Sequence, residues 1–197
     1  NLQSIAVYRN VSTSSGALSF VFAGSLPFSG GSSGGGPWGV YANDMDGDGL
    51  PDVVVAGYNA GNLQLFRNTT VAGSTSFTFG SAFTITIANA YFTEYVTTAD
   101  LDGDGRPDLI TGDVLGATAN SLRIFRNLSV SGTLSFGAEQ DIALANGPLA
   151  IAVSDLDHDS KPDLVVTLNA TNSVYILHNI STLGTISLTI SQVLTGF

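Results

Sequence analysis

The sequence predicts an all-β fold assembled from repeated four-stranded antiparallel units, and three recurrences predict it. Short loops dense in aspartate begin at Asp44, Asp100 and Asp155, 56 and 55 residues apart. An apolar run ending in asparagine recurs as Val7–Tyr8–Arg9–Asn10, Leu65–Phe66–Arg67–Asn68, Ile124–Phe125–Arg126–Asn127 and Ile176–Leu177–His178–Asn179. After a Gly/Ser/Thr-rich turn, each asparagine is followed by a third marker: Leu18–Ser19–Phe20, Thr75–Ser76–Phe77, Leu134–Ser135–Phe136 and Ile186–Ser187–Leu188. Such a period marks a repeat architecture, in which one unit cannot bury its own faces and stacks on its neighbours.

Each unit reads as four strands. The first is an apolar run entering the acidic loop, as in Trp38–Gly39–Val40–Tyr41–Ala42 and Leu149–Ala150–Ile151–Ala152–Val153. The second leaves the loop, as in Asp52–Val53–Val54–Val55–Ala56 and Asp163–Leu164–Val165–Val166–Thr167. Both are apolar nearly throughout rather than alternating, which predicts burial on two faces. Their β-branched residues and bounding Gly and Pro favour strand over helix. The third strand carries the asparagine ending, and the fourth begins at the Ser–Phe marker. The first two strands of the chain are accordingly expected at Ser4 to Asn10 and Gly16 to Phe22. The run Ser29 to Gly36 has the composition of a flexible linker. The register instead makes it a connection between units, because Phe20 to Asp44 spans nearly the same length as Phe77 to Asp100.

Four-stranded units repeated radially make a β-propeller. The expected organisation is about three and a half blades: an outer half-blade and its connection over 1–36, then blades over 37–90, 91–146 and 147–197. The chain opens on the third strand of a unit and without methionine. This predicts that it belongs to a longer protein or is closed by another chain, with apolar surface uncovered around Val40 and Val54.

The acids are concentrated: twelve of sixteen lie in the three loops. The first is Asp44–Met45–Asp46–Gly47–Asp48–Gly49–Leu50–Pro51–Asp52, the second Asp100–Leu101–Asp102–Gly103–Asp104–Gly105–Arg106–Pro107–Asp108. Carboxylates at alternate positions of a tight loop converge on one point, and glycine at the fourth and sixth positions permits the wrapping. The seventh residue can turn its carbonyl inward, and the ninth can close the shell. Oxygen donors without nitrogen or sulfur select a hard cation, and a flexible many-oxygen shell suits calcium better than magnesium. The third loop, Asp155–Leu156–Asp157–His158–Asp159–Ser160–Lys161–Pro162–Asp163, keeps the carboxylates but replaces both glycines, so strain and weaker binding are expected there.

The Asp-x-Asp-Gly-Asp-Gly-x-Pro-Asp pattern at fixed spacing, with the Phe–Arg–Asn–Thr and Ser–Phe segments, resembles the FG-GAP/VCBS-type repeat family. That family supplies the calcium-bearing blades of integrin α-subunit propellers and occurs in bacterial surface proteins. The resemblance implies three Ca2+ sites. The first would use the side chains of Asp44, Asp46, Asp48 and Asp52 with the Leu50 carbonyl. The second would use Asp100, Asp102, Asp104 and Asp108 with the Arg106 carbonyl, and the third Asp155, Asp157, Asp159 and Asp163 with the Lys161 carbonyl.

Composition narrows the function. A formal net charge of −10 argues against a nucleic-acid backbone as partner. With no cysteine, disulfides and thiolate chemistry are excluded. No apolar stretch is long enough to span a membrane. The 11% charged fraction, with Ser, Thr, Asn and Gly in its place, fits a secreted or cell-surface protein. Asn10, Asn68, Asn127, Asn169 and Asn179 each open Asn-x-Ser/Thr, but four share one repeat position, which favours a turn role over glycan attachment. Arg9, Arg67 and Arg126 share a position with His178, which points to packing or surface placement. Trp38, Tyr41, Tyr91, Phe92 and Tyr95 precede acidic loops and are expected mainly in the core between units. No Ser, His or Cys sits in a recognisable catalytic arrangement. The expected function is a non-catalytic, calcium-stabilised adhesion or interaction module. Its partners are the remainder of the parent protein, neighbouring copies, or a glycan or surface protein. The alternatives are a glycan-binding propeller, a non-catalytic domain of a larger secreted enzyme, and a self-assembling surface subunit.

Overall fold

The second and third strands of the two middle sheets are buried on both faces because each of those sheets is covered on two sides by its neighbours. A computed structural model describes residues 3–14, 16–30, 35–87, 92–113, 120–169 and 171–196. The described residues contain strands and turns and no helix. The first sheet pairs β1 (Gln3–Asn10) with β2 (Phe20–Phe28). The second contains β3 (Gly36–Asn43), β4 (Asp52–Tyr58), β5 (Asn62–Phe66) and β6 (Phe83–Thr86). The third contains β7 (Thr93–Ala99), β8 (Asp108–Asp113), β9 (Ser121–Asn127) and β10 (Phe136–Ala143). The fourth contains β11 (Pro148–Ser154), β12 (Asp163–Leu168), β13 (Ser173–Asn179) and β14 (Leu188–Thr195). Every four-stranded sheet is an antiparallel meander in chain order.

Alternate side chains of one strand serve different cores, as the pleat requires. Val55 and Phe66 pack with Leu26 and Phe28 of the first sheet. Val54, Ala56, Leu63 and Leu65 face the other way and pack with Val96, Leu109 and Phe125 of the third. Ile110, Leu122 and Ile124 in turn meet Leu164, Val166 and Leu177 of the fourth. Burying three such interfaces, at roughly 1.5–3 kcal/mol per fully buried aliphatic or Phe side chain, supplies the main favourable term for stacking. The first strands of successive sheets are neighbours, β7 lying against β3 and β4 of the preceding sheet and β11 of the following sheet lying against β7 and β8.

Several boundaries and faces differ from the sequence expectation. The chain's second strand is Phe20–Phe28, not Gly16–Phe22: Gly16 sits at positive φ in a turn, and Val11 N–H donates to Ser19 O to close the hairpin. That strand takes in Pro27, which an edge strand tolerates because no ladder bond is asked of its nitrogen. In the second sheet Phe77 stands before the fourth strand, which begins at Phe83; only an isolated bridge joins Asn68 to Phe79. The connection Ser29 to Gly36 is described at its ends: Ser29 O accepts from the Asn62 and Gln64 amides, and Gly36 already belongs to β3. Residues 31–34 lie outside the described residues.

The first strands are not buried on both faces. Trp38, Val40, Tyr41, Tyr95 and Leu149 are exposed, because the side-by-side first strands have one face with no sheet packed over it. Val40 is uncovered as expected at 59% exposure, but Val54 is fully buried, since its side chain points to the third sheet. The expectation of an aromatic core fails for Trp38, Tyr41 and Tyr95 for the same reason. Phe92 is half-buried and stacks on Tyr58 at 4.8 Å between ring centroids, and Tyr91 lies outside the described residues.

Candidate metal centres

Each acidic loop joins the first strand of a sheet to the second, so its two ends are fixed by the last ladder pair: Asn43 opposite Asp52, Ala99 opposite Asp108, Ser154 opposite Asp163. Between those anchors the first two loops have the same hydrogen-bond plan. Asp44 Oδ1 accepts from Gly47 and Asp48 N–H, and Oδ2 from Gly49 N–H. Asp100 does the same with Gly103, Asp104 and Gly105. Asp46 and Asp102 accept from the N–H two residues on, as do Asp48 and Asp104, the latter pair from Leu50 and Arg106. The wrap requires left-handed backbone at four glycines: Gly47, Gly49, Gly103 and Gly105 have φ of 74°, 88°, 76° and 84°. Carboxylate oxygens of Asp44, Asp46 and Asp48 come within 4.8 Å of one another, and so do those of Asp100, Asp102 and Asp108.

Asp52 and Asp108 also pin the loop to the sheet. Asp52 accepts from Met45 N–H through Oδ2 and from Asn68 N–H through Oδ1; Asp108 accepts from Leu101 and Asn127 in the same way. Burial is the larger influence on both and raises their pKa, partly offset by those N–H groups and reinforced by the neighbouring aspartates. The Asp108 carboxyl is pushed up to about 6.

The third loop is strained and less tied. His158 and Ser160 hold φ of 65° and 72°, the conformation that glycine provides in the other loops. For a residue with a Cβ this costs on the order of 1–2 kcal/mol each. Asp155 keeps one bond, from Ser160 N–H to Oδ2, while its Oδ1 is buried without a partner. Asp155, Asp157 and Asp159 nevertheless bring oxygens within 4.8 Å of one another. Lys161 N–H donates to Asp159, its Nζ to Ser181 O, and Asp163 is pinned by Leu156 and Asn179 N–H.

Two sets of residues at the site were not assigned from sequence. The first is the basic residue before each asparagine. Arg67 donates from Nε to Asp46 and from a terminal nitrogen to Asp48, both at 2.5 Å. Arg126 makes the same fork to Asp102 at 2.5 Å and Asp104 at 2.7 Å, and Arg106 adds a bond to Asp104 at 2.6 Å. The signal was the recurrence of a cation wherever an acidic loop recurs. The second set is the asparagines themselves. Asn127 Nδ2 donates to Pro107 O of its own loop and to Met45 O of the preceding sheet's loop. Asn179 bridges Pro162 O and Leu101 O likewise, and Asn68 reaches Pro51 O. These amides are buried and committed to carbonyls, so at Asn68, Asn127 and Asn179 the turn role accounts for the sequence pattern. The second loop residue is core: Met45 and Leu101 are buried between sheets, whereas Leu156, with no following sheet over it, is 46% exposed.

The donor chemistry fits a hard divalent cation. Each loop carries four carboxylates and brings three of them within 4.8 Å of one another; Arg67 is forked across two in the first loop, and Arg126 across two in the second, where Arg106 also bonds Asp104. Like charges so close are mutually destabilising unless a further cation is present. The orphaned Asp155 Oδ1 is the atom such an ion would satisfy in the third loop.

Comparison with curated proteins finds no match. The model of the FG-GAP-like repeat matches residues 44–111 and 112–166, more than half of the chain and all three acidic loops in full. With acidic loops, meander sheets and repeat spacing in place, the chain belongs to the FG-GAP-like repeat family.

Proposed function

We propose that this chain is a calcium-stabilised, non-catalytic interaction module of an extracellular or cell-surface protein, its sheets arranged as propeller blades. The observation that carries the reading is the repeated loop, in which converging carboxylates are built into the connection between the first and second strands of each four-stranded sheet. The side chains of Asp44, Asp46, Asp48 and Asp52 with the Leu50 carbonyl would hold one ion. Asp100, Asp102, Asp104, Asp108 and Arg106, then Asp155, Asp157, Asp159, Asp163 and Lys161, would hold the others in the same way. Calcium supplies there a positive centre that offsets carboxylate repulsion and ties the ends of adjacent strands. The propeller reading is supported by the meander order, the face-to-face stacking of successive sheets and the adjacency of β3, β7 and β11. The extracellular reading is supported by the repeat family, and among the described residues no helix is long and apolar enough to cross a membrane. Thermal melts of the chain with calcium and with chelator test the proposal; superimposable melts would remove it.

The edge of the first sheet is assigned to pairing with further strands, from the parent protein or a neighbouring copy. Among the described residues β1 pairs with β2 alone, and the Arg9 Nε, at the position where Arg67 and Arg126 grip an acidic loop, is buried with no hydrogen-bond partner there. Light scattering that finds only monomer with this edge free would count against pairing between copies.

A glycan-binding reading has its own support. Trp38 is 63% exposed and stacks on Tyr58 at 4.9 Å, beside a cleft of about 340 Å3 that includes Tyr41, Glu94 and Tyr95. An exposed aromatic next to a carboxylate suits a sugar ring. Trp38 is the sole tryptophan, so its fluorescence would report saturable binding of an oligosaccharide, and W38A should abolish it.

A further inference from the structure

We infer that the third acidic loop, together with His178, forms a mixed nitrogen-and-oxygen site that takes a borderline divalent ion such as Zn2+. The inference rests on the reading of the loops as cation sites and departs from it in the chemistry of the third. In the first two units the residue before the asparagine is Arg67 or Arg126, held in direct ion pairs with two loop carboxylates. A guanidinium has only donors and cannot ligate a metal. In the third unit the position is His178, whose ring nitrogens can.

The distances differ in kind. His178 Nδ1 lies 3.3 Å from Asp157 Oδ2 and 3.3 Å from Asp163 Oδ1. Charge-assisted hydrogen bonds close to about 2.7–2.9 Å. A tetrahedral ion with bonds of about 2.0–2.1 Å instead holds its ligands roughly 3.3–3.4 Å apart. One imidazole nitrogen and two carboxylate oxygens within 4.8 Å of one another make three ligands and leave a position for water. Imidazole with carboxylates favours zinc and its neighbours in the transition series over calcium. Asp163 is held in place by the Leu156 N–H on Oδ2 and by the Asn179 N–H on Oδ1, the oxygen that also faces His178 Nδ1, while Asp157 and His178 are partly exposed and give an ion a way in. Asp157 and Asp163 belong to both ligand sets, so zinc and calcium compete at this loop and not at the other two.

The chain has no cysteine and two histidines, which makes the site spectroscopically separable. Cobalt(II) is the probe. The wild-type chain should bind one cobalt with the intense visible bands of four-coordinate geometry, displaced by stoichiometric zinc but by calcium only in large excess. H178R, which installs the arginine of the other units, and H178Q should each weaken cobalt binding by at least about tenfold and remove the bands. H158Q, altering the other histidine, should retain them. Bands unchanged in H178R, bands lost in H158Q, or a wild type without bands would each overturn the inference. Calcium-dependent melting of H178R separates the two readings. If calcium still stabilises and cobalt does not bind the wild type, the mixed site alone is wrong. If cobalt binds and calcium stabilises neither protein, the calcium reading alone is wrong.

Discussion

The asparagine that closes each third strand offers a graded perturbation at one repeat position. Asn10 Oδ1 accepts a single bond, from Ser12 N–H, at an exposed site. Asn68 makes two side-chain bonds, to Pro51 O and from Thr70 N–H. Asn127 makes three, to Met45 O, to Pro107 O and from Ser129 N–H, and is fully buried. Asn179 matches it with Leu101 O, Pro162 O and Ser181 N–H. At about 1 kcal/mol per bond, and more where a buried carbonyl is left unpaired, alanine should cost below about 1 kcal/mol at Asn10, about 2 at Asn68 and about 3–4 at Asn127 and Asn179. For a chain of this size that places N127A roughly 10 °C below wild type. N127D should be worse than N127A, because it buries a carboxylate against two carbonyl oxygens. Urea unfolding with saturating calcium measures the series, and calcium titration of N127A should show weakened binding at the first loop, whose Met45 carbonyl loses its donor. Equal losses at Asn10 and Asn127, or a cost at Asn127 below about 1 kcal/mol, would refute the assignment of these amides as clamps between successive loops.

Calcium at one hundred times its dissociation constant should add about 2.7 kcal/mol for each loop it fills, so chelation should lower the melting temperature by many degrees in differential scanning calorimetry. Acidification should act in opposite directions on the two forms. The Asp108 carboxyl is raised by burial from 3.8 to about 6 in the cation-free fold, so the stability of its protonated form is present below about 4 and lost as pH rises through about 6. Between pH 7 and 5 the chelated protein should therefore gain melting temperature while calcium affinity falls; parallel curves would contradict this. G39A should cost about 1–3 kcal/mol, since the added Cβ would stand 2.5 Å from the Glu94 carbonyl oxygen on the neighbouring first strand. G80A, whose Cβ meets nothing nearer than 3.8 Å, should be close to neutral by the same urea measurement.

Features with a local cause were legible in the sequence. The strand around Val54 read as doubly buried from its unbroken apolar run, and the convergence of carboxylates in the loops read from alternate aspartates with glycines. The backbone at His158 and Ser160 could be read as strained for the same reason. What stayed hidden depends on contacts far apart in the chain. Val40 and Val55 look alike in sequence, yet one is open and one enclosed, because which strand lies against the next sheet is a property of the stack. Asn127 meets Met45 across 82 residues, and Asn179 meets Leu101 across 78, beyond any local pattern. The start of β6 at Phe83 was missed because Phe77 carries the marker of the other units without their ladder.

The central claim is that the acidic loops are built around an oxygen-bound cation. Anomalous diffraction from crystals of the chain grown with calcium tests it directly. The account predicts peaks inside the Asp44–Asp52 and Asp100–Asp108 loops, each with oxygen ligands at about 2.3–2.6 Å and with Arg67 and Arg126 outside the ligand shell. Loops without anomalous density, with Arg67, Arg106 and Arg126 as the only cations among the carboxylates, would contradict it.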